Sequence, residues 1–242
     1  MDKAATPAAR FAKKIKSYLA FGIIQLLHVL PGSVLRNSAQ FGQSMEFHWW
    51  LKRHFGSHHA SFATRERLWE SILADLAPQQ PLCCFEFGVA YGYTTRWWLS
   101  RCSTISRWYG FDTFTGLPDP WLEFEQGSFD AGGRPPDIND KRLEWVIGRL
   151  EETLDEDRFQ AMTSSCPAEG QLIFFFDLDL YGPTRHAIDI ILPHLRNGDI
   201  LYFDEAADLD ERRVLIETEE LHSEGFSLIG STPLALALRR NE

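Results

Sequence analysis

From Leu82 to the end of the chain, short apolar runs alternate with longer amphipathic stretches. The runs 82–87 (LCCFEF), 106–111 (SRWYGF), 143–147 (LEWVI), 171–177 (QLIFFFD) and 199–204 (DILYFD) predict strands. Between them, 93–101, a stretch near 151–159, 183–194 and 208–222 carry the apolar spacing of helices. Two last segments, 226–230 and 234–238, read as a terminal strand pair. Short apolar strands separated by helices are buried on both faces, which a parallel sheet between two helical layers provides. The predicted fold is therefore α/β: a doubly wound, Rossmann-like, mostly parallel sheet with a terminal antiparallel strand pair.

The part before Leu82 has a different pattern. Residues 43–55 (QSMEFHWWLKRHF) and 62–76 predict helices, the second capped by Thr64 or Ser61 and closed by Pro78 and Pro81. Residues 10–30 form a basic-to-apolar stretch that stops at Pro31-Gly32. It has no small-residue cleavage site, Gln25 and His28 interrupt it, and it is too short and polar to cross a bilayer. A helix that packs on the domain or builds a dimer is the preferred reading. A helix lying on an anionic membrane surface is the other, making 10–30 a candidate for peripheral membrane contact. The expected organisation is an N-terminal helical extension over 1–60 and a catalytic domain over 61–242.

Charge narrows the partners. The net charge is −10, yet residues 1–40 carry six cations against Asp2 alone, so the rest of the chain is strongly acidic. Such a body lacks the basic face that neutralises phosphates, which argues against nucleic acid as partner. The four cysteines include an adjacent pair, Cys83-Cys84, and no C-x-x-C, suggesting neither a zinc site nor a disulfide framework. A reduced, cytoplasmic setting and a homo-oligomer are expected. His48, His54, His58 and His59 lack the spacing of a ligand pair backed by an acid and read as solvated or packing residues.

Candidate chemistry sits where the strands end. Phe85-Glu86-Phe87-Gly88 runs through a turn to Gly92 and then enters a helix, the arrangement that holds ligands at a strand's carboxyl end. The pattern is E-x-G-x-x-x-G, and an acid at Glu86 would repel a dinucleotide's pyrophosphate. It favours a cationic ligand, and S-adenosylmethionine has both a sulfonium and an ammonium group. Asp112 ends the second strand, where an acid accepts ribose hydroxyls; the alternative is a turn aspartate. Asp177, Asp179, Asp204 and Glu205 gather at the ends of the fourth and fifth predicted strands, a hard-oxygen set suited to Mg²⁺, which would relieve their mutual repulsion. Capping of the following helices is the competing role, above all for Asp179. The aperiodic stretch 113–140 is long enough to be functional and reads as a lid, with Trp121 and Phe129 either lining an acceptor pocket or packing the lid down.

The segments FEFGVAYGYTTRWW, YGFDTFTGLPDPW, GSFDAGGRPPDIND and FFFDLDLYGPTRHAI…LPHLRNGDILYFDEA resemble the macrocin O-methyltransferase family of class I S-adenosylmethionine-dependent enzymes over residues 82–206. That resemblance implies a methionine-binding loop of Glu86, Gly88, Val89, Tyr91 and Gly92. It implies a ribose site at Asp112 beside Thr113 and Phe114, an adenine contact at the turn Gly148-Arg149-Leu150, and a divalent metal, Mg²⁺ by preference, on Asp177, Asp204 and Glu205. Asp204-Glu205-Ala206 departs from the family's commonest pattern, in which a second aspartate and a tyrosine occur. The implied reaction is metal-assisted O-methylation of a small or glycosylated acceptor, with Asp177 or Asp179 taking the proton. A nicotinamide-dependent oxidoreductase and a non-catalytic binding or assembly protein are the alternatives.

Overall fold

The computed structural model describes residues 30–77, 79–122 and 124–241. The 10–30 stretch, apart from Leu30, lies outside the described residues. The chain separates into two compact units, Met1–Met45 and Glu46–Glu242. The described part of the first unit is the opening of helix α1 (Gly32–Phe55), on which Val34, Phe41 and Met45 are exposed. Among the described residues no helix is long and apolar enough to cross a membrane.

The second unit is built on seven strands: β1 (Leu82–Phe87), β2 (Ile105–Asp112), β3 (Leu143–Ile147), β4 (Gln171–Phe176), β5 (Ile200–Phe203), β6 (Phe226–Ser231) and β7 (Leu236–Arg240). Their order is β3-β2-β1-β4-β5-β7-β6. The first five run parallel, and β7 is antiparallel to both its neighbours. β1 and β4 are buried along their whole length, which is why they read as apolar runs with one polar residue each, Glu86 and Gln171.

Side chains alternate between the two faces of the sheet. Cys83, Phe85 and Phe87 join Phe174, Phe176, Leu201 and Phe203 in one core, covered by the part of α1 after Met45, α5 (Glu156–Ser164), α6 (Tyr181–Ile191) and α7 (Leu209–Glu217). Leu82 and Cys84 join Ile173, Phe175, Ile200 and Tyr202 in the other, covered by α2 (Arg65–Asp75) and α3 (Tyr93–Arg101). The doubly wound architecture is the expected one.

Several boundaries move for local reasons. The predicted helix near 151–159 is two helices, α4 (Leu150–Thr153) and α5, because the Asp155 carboxylate accepts the Arg158 N–H and starts a new helix. Thr64, one of the two proposed caps, accepts the Arg67 N–H and opens α2. β7 begins at Leu236 rather than 234, because Thr232 Oγ1 accepts the N–H groups of Leu234 and Ala235 and bends that stretch into a turn.

The cysteine reading needs a correction. Cys83 and Cys166 form a disulfide across 83 residues of sequence, while Cys84 and Cys102 are free and buried. Adjacency in the sequence hides this, since neighbouring strand residues face opposite cores. Cys83 points toward the face covered by α5, and Cys166 follows that helix's end.

Candidate active site

Strand register builds the site. Phe87 pairs with Phe111 on one side and Phe176 on the other, and Phe176 pairs with Phe203. One step further along each strand lie Asp112, Gly88, Asp177 and Asp204, side by side across the carboxyl edge of β2, β1, β4 and β5. Backbone bonds continue the pattern: Gly88 N–H donates to Phe111 O at 3.0 Å, Asp177 N–H to Phe87 O at 2.9 Å and Asp204 N–H to Phe176 O at 2.9 Å. The strand order reverses between β1 and β4, and ligands in such folds bind at that point. A cavity of about 730 Å³ opens there.

Gly88, Val89, Tyr91, Asp112, Thr113, Gly148, Leu150, Asp177, Asp179, Asp204 and Glu205 all line this cavity. Three other expected site residues do not. Gly92 starts α3 in a left-handed conformation (φ 73°) and packs toward Pro136 and Ile138. Phe114 is buried, with its ring edge-on to Trp145. The third is Glu86.

Glu86 shares a face with Leu82 and Cys84 and lies two residues deeper than the row of Gly88, about 7 Å along the strand. Its Oε2 accepts the Thr95 hydroxyl and, at 2.9 Å, the Trp108 indole N–H. Burial pushes its carboxyl up to about 8, a rise that those two hydrogen bonds oppose. The expectation that Glu86 sets the ligand's charge is therefore corrected: it is a buried acid that ties α3 to β2, and it keeps its proton near neutrality. Its pH linkage has a definite sign. The folded chain holds this proton up to about pH 8 while the unfolded chain releases it near 4.5, so rising pH costs stability across that interval. At 1.36 kcal/mol per pKa unit the cost is at most about 5 kcal/mol. Glu86→Gln is expected to match the parent in urea unfolding near pH 5 and exceed it at pH 8.5; parallel pH profiles for the two proteins would remove Glu86 as the cause.

Asp112 carries the loop after β1. Its Oδ2 accepts the N–H groups of Val89 and Ala90, each at 2.7 Å, and its Oδ1 accepts that of Phe114 at 2.7 Å. A carboxylate offers about four lone-pair positions, so three backbone donors leave one for a ligand hydroxyl. The expected grip on two ribose hydroxyls requires the loop to give up one of these N–H groups.

The chain itself brings one cation to the central acid of the cluster. Asp204 has the strand parity of Tyr202, on the face that α2 covers, and Arg65 is the first residue of α2. Arg65 Nη1 donates to Asp204 Oδ2 at 2.7 Å, and the Tyr202 hydroxyl donates to Oδ1 at 2.5 Å. Both oxygens of the central acid thus have partners. The expected metal set of Asp177, Asp204 and Glu205 does not fit this arrangement: among the described residues no three His, Cys, Asp or Glu side chains converge as cation ligands. The Arg65 guanidinium brings one positive charge to this cluster, at Asp204. Nothing in the sequence pattern marks Arg65, because its contact with Asp204 spans 139 residues and its local setting is an ordinary helix start.

The neighbouring acids remain perturbed. Burial and then Asp204 and Asp208 push Asp179 up to about 7, and its backbone is left-handed (φ 62°), unusual for an aspartate outside a turn. Asp177 is raised by burial and by Asp204, and Glu205 is raised to about 8 for the same two reasons, in that order. The fully buried Glu211 holds the Glu205 N–H through Oε2 at 3.1 Å. Counted over its described lining, the cavity has eight Asp and Glu side chains against Arg65 and Arg149. With Asp177, Asp179 and Glu205 raised toward their protonated forms, the other five acids still outnumber the two arginines, a wall that suits a cation better than a pyrophosphate.

The segment after β2 closes one side. Trp121, Phe124 and Phe129 all border the cavity, with Trp121 stacked on Phe124 and Phe124 against Phe129 at ring-centroid distances of 5.6 and 4.8 Å. The Trp121 indole N–H donates to Asp208 at 3.3 Å, which pins the lid to the start of α7. Trp121 and Phe129 both border the cavity, and Trp121 also packs the lid down.

No protein-family model matches the sequence, and no curated protein matches it. Among solved structures the chain is similar to the calicheamicin methyltransferase CalS11, at 24% identity over 72% of this chain and 76% of that one, with a TM-score of 0.53. It is also similar to the O-methyltransferase NovP, at 16% identity over 73% of this chain and 77% of that one, with a TM-score of 0.50. At these identities the likeness is one of fold.

Proposed function

We propose that this protein is an S-adenosylmethionine-dependent methyltransferase that acts on a hydroxyl group of a small molecule. The observation that carries the reading is the row Asp112–Gly88–Asp177–Asp204 at the edge of a cavity whose described walls are rich in acids. A volume of about 730 Å³ has room for a nucleoside cofactor and a small acceptor together. The fold shared with two named methyltransferases supports the reading, as does the resemblance to the macrocin O-methyltransferase family, which favours oxygen as the methylated atom.

The donor set suits the cofactor. Asp112 keeps one lone-pair position for a ribose hydroxyl, Val89 and Leu150 offer apolar surface beside the Gly148 turn, and the surrounding carboxylates favour positive charge. Bound there, the cofactor would supply a methyl group on a sulfonium, which is already a good leaving group. The protein's share is positioning, exclusion of water and handling of one proton. Asp179 is the group assigned to the proton: it lines the cavity, titrates at about 7, and has no capping bond to the helix after it. Asp177 stands beside Asp204 as the second acid, and Arg65 Nη1 donates to Asp204 Oδ2. Trp121, Phe124 and Phe129 form the side where a ring-bearing acceptor would lie.

Calorimetric titration separates this reading from its rivals. S-adenosylmethionine is expected to bind saturably, and NAD(H) not at all. Binding of NAD(H) alone would favour the oxidoreductase, and binding of neither would favour an assembly role.

A further inference from the structure

We infer that Arg65 occupies the place of a divalent cation, so that the acceptor end of the cavity operates with a built-in guanidinium instead of a metal ion. A metal bridging these strand ends would have to use Asp204, the acid at the centre of the cluster. Both its oxygens are engaged: Arg65 Nη1 lies 2.7 Å from Oδ2, and the buried Tyr202 hydroxyl lies 2.5 Å from Oδ1. An incoming cation would displace one of these partners and face the guanidinium at close range.

Arg65 is partly exposed, yet its guanidinium is held from several sides. It is fixed at the first position of α2 by the Thr64 cap, its guanidinium lies 5.5 Å from the Trp69 ring centroid and 5.0 Å from that of Tyr93, and Glu66 approaches it at 3.8 Å. Trp69 is fully buried and Tyr93 starts α3, so two helices hold the cation in place. A guanidinium stays protonated at every accessible pH, which makes it a permanent charge where a metal site would exchange with solvent. Such a charge can orient an acceptor oxygen between itself and the acid row, without offering open coordination positions. The consequence for methyl transfer rests on the function proposed above; the ion pair and its test do not.

The full-length protein, titrated with Mn²⁺ alone and followed by calorimetry and by the electron paramagnetic resonance signal of free Mn²⁺, is expected to show no saturable binding that depends on Asp204. Arg65→Met frees the acids and is expected to bind Mn²⁺ about tenfold more tightly or better, because one positive charge has left the cluster. Saturable binding to the parent that disappears in Asp204→Asn would overturn the inference. So would an Arg65→Met protein, folded by circular dichroism, that binds no more tightly than the parent. Should that variant not fold, Arg65→Gln makes the same comparison, and the parent against Asp204→Asn needs neither. Adding S-adenosylmethionine to the same samples tests the methyltransferase reading by itself: no cofactor binding together with no Mn²⁺ binding removes that reading and leaves this one standing.

Discussion

Gly88→Ala is expected to destabilise the protein by at least about 3 kcal/mol and to abolish cofactor binding in whatever fraction remains folded. Two independent costs meet at this residue. Its φ of +85° lies where a side chain is rarely accommodated, and a Cβ there would stand 1.8 Å from the Asp177 carbonyl oxygen. That obstacle is backbone at the end of β4, which also carries Asp177 toward the cavity, so the clash is relieved only by pushing β1 and β4 apart. The Gly92→Ala variant is the internal comparison. Gly92 also has a positive φ, but its nearest obstacles are the Pro136 and Ile138 side chains at 3.0 and 3.1 Å, which can give way, so a loss of about 1 kcal/mol is expected. Urea unfolding of the three proteins decides the matter. A Gly88→Ala midpoint equal to that of Gly92→Ala would contradict the close contact with Asp177.

Why Gly88 is legible in the sequence and Arg65 is not depends on what marks each residue. Gly88, Asp112, Asp177 and Asp204 each break an apolar run, and in a parallel sheet the carboxyl ends of such runs fall along one edge. Four separate segments of the chain therefore point to one site. The lid residues Trp121 and Phe129 stand out for a related reason, as large aromatics in a stretch without period. Arg65 breaks nothing: it follows a helix cap, where an arginine is ordinary, and only the packing of α2 over Tyr202 brings it to Asp204.

Glu86 misleads for a different cause. Its place near a strand end is as expected, but side chains alternate along a strand, and 82, 84 and 86 share a face. Glu86 shares that face with the row of Gly88, Asp112, Asp177 and Asp204 but stands two residues short of it, and this depth, with Thr95 and Trp108 on its carboxylate, keeps it from the cavity. Alternation along the strand does separate Cys83 from Cys84 and sends Cys83 toward Cys166. The metal expectation rests on charge compensation. It assumes an outside cation for all the acids, and the sequence does not show that a helix preceding the sheet brings Arg65 to one of them, Asp204.

Asp112 is the side chain whose loss should be felt most in cofactor binding. Asp112→Ala leaves the N–H groups of Val89, Ala90 and Phe114 without their acceptor, and each partly buried donor so stranded costs roughly 1–3 kcal/mol. Water reaches this cavity edge, so a total of about 2–4 kcal/mol is expected, together with a fall in S-adenosylmethionine affinity of about a hundredfold or more. Asp112→Asn separates the two roles. The amide keeps one acceptor oxygen and can still satisfy either the Val89–Ala90 side or Phe114, so it should recover roughly half of the lost stability. It also turns an N–H₂ group toward backbone donors and lacks the negative charge, so cofactor affinity should stay near that of the alanine variant. Thermal unfolding and calorimetric titration of the same three samples read these separately. An alanine variant as stable as the parent would refute the loop-holding role, and an asparagine variant that binds the cofactor like the parent would take the ribose contact away from Asp112. The loop and the ligand compete for the same carboxylate, so cofactor binding should also raise hydrogen exchange at whichever of the three amides is released.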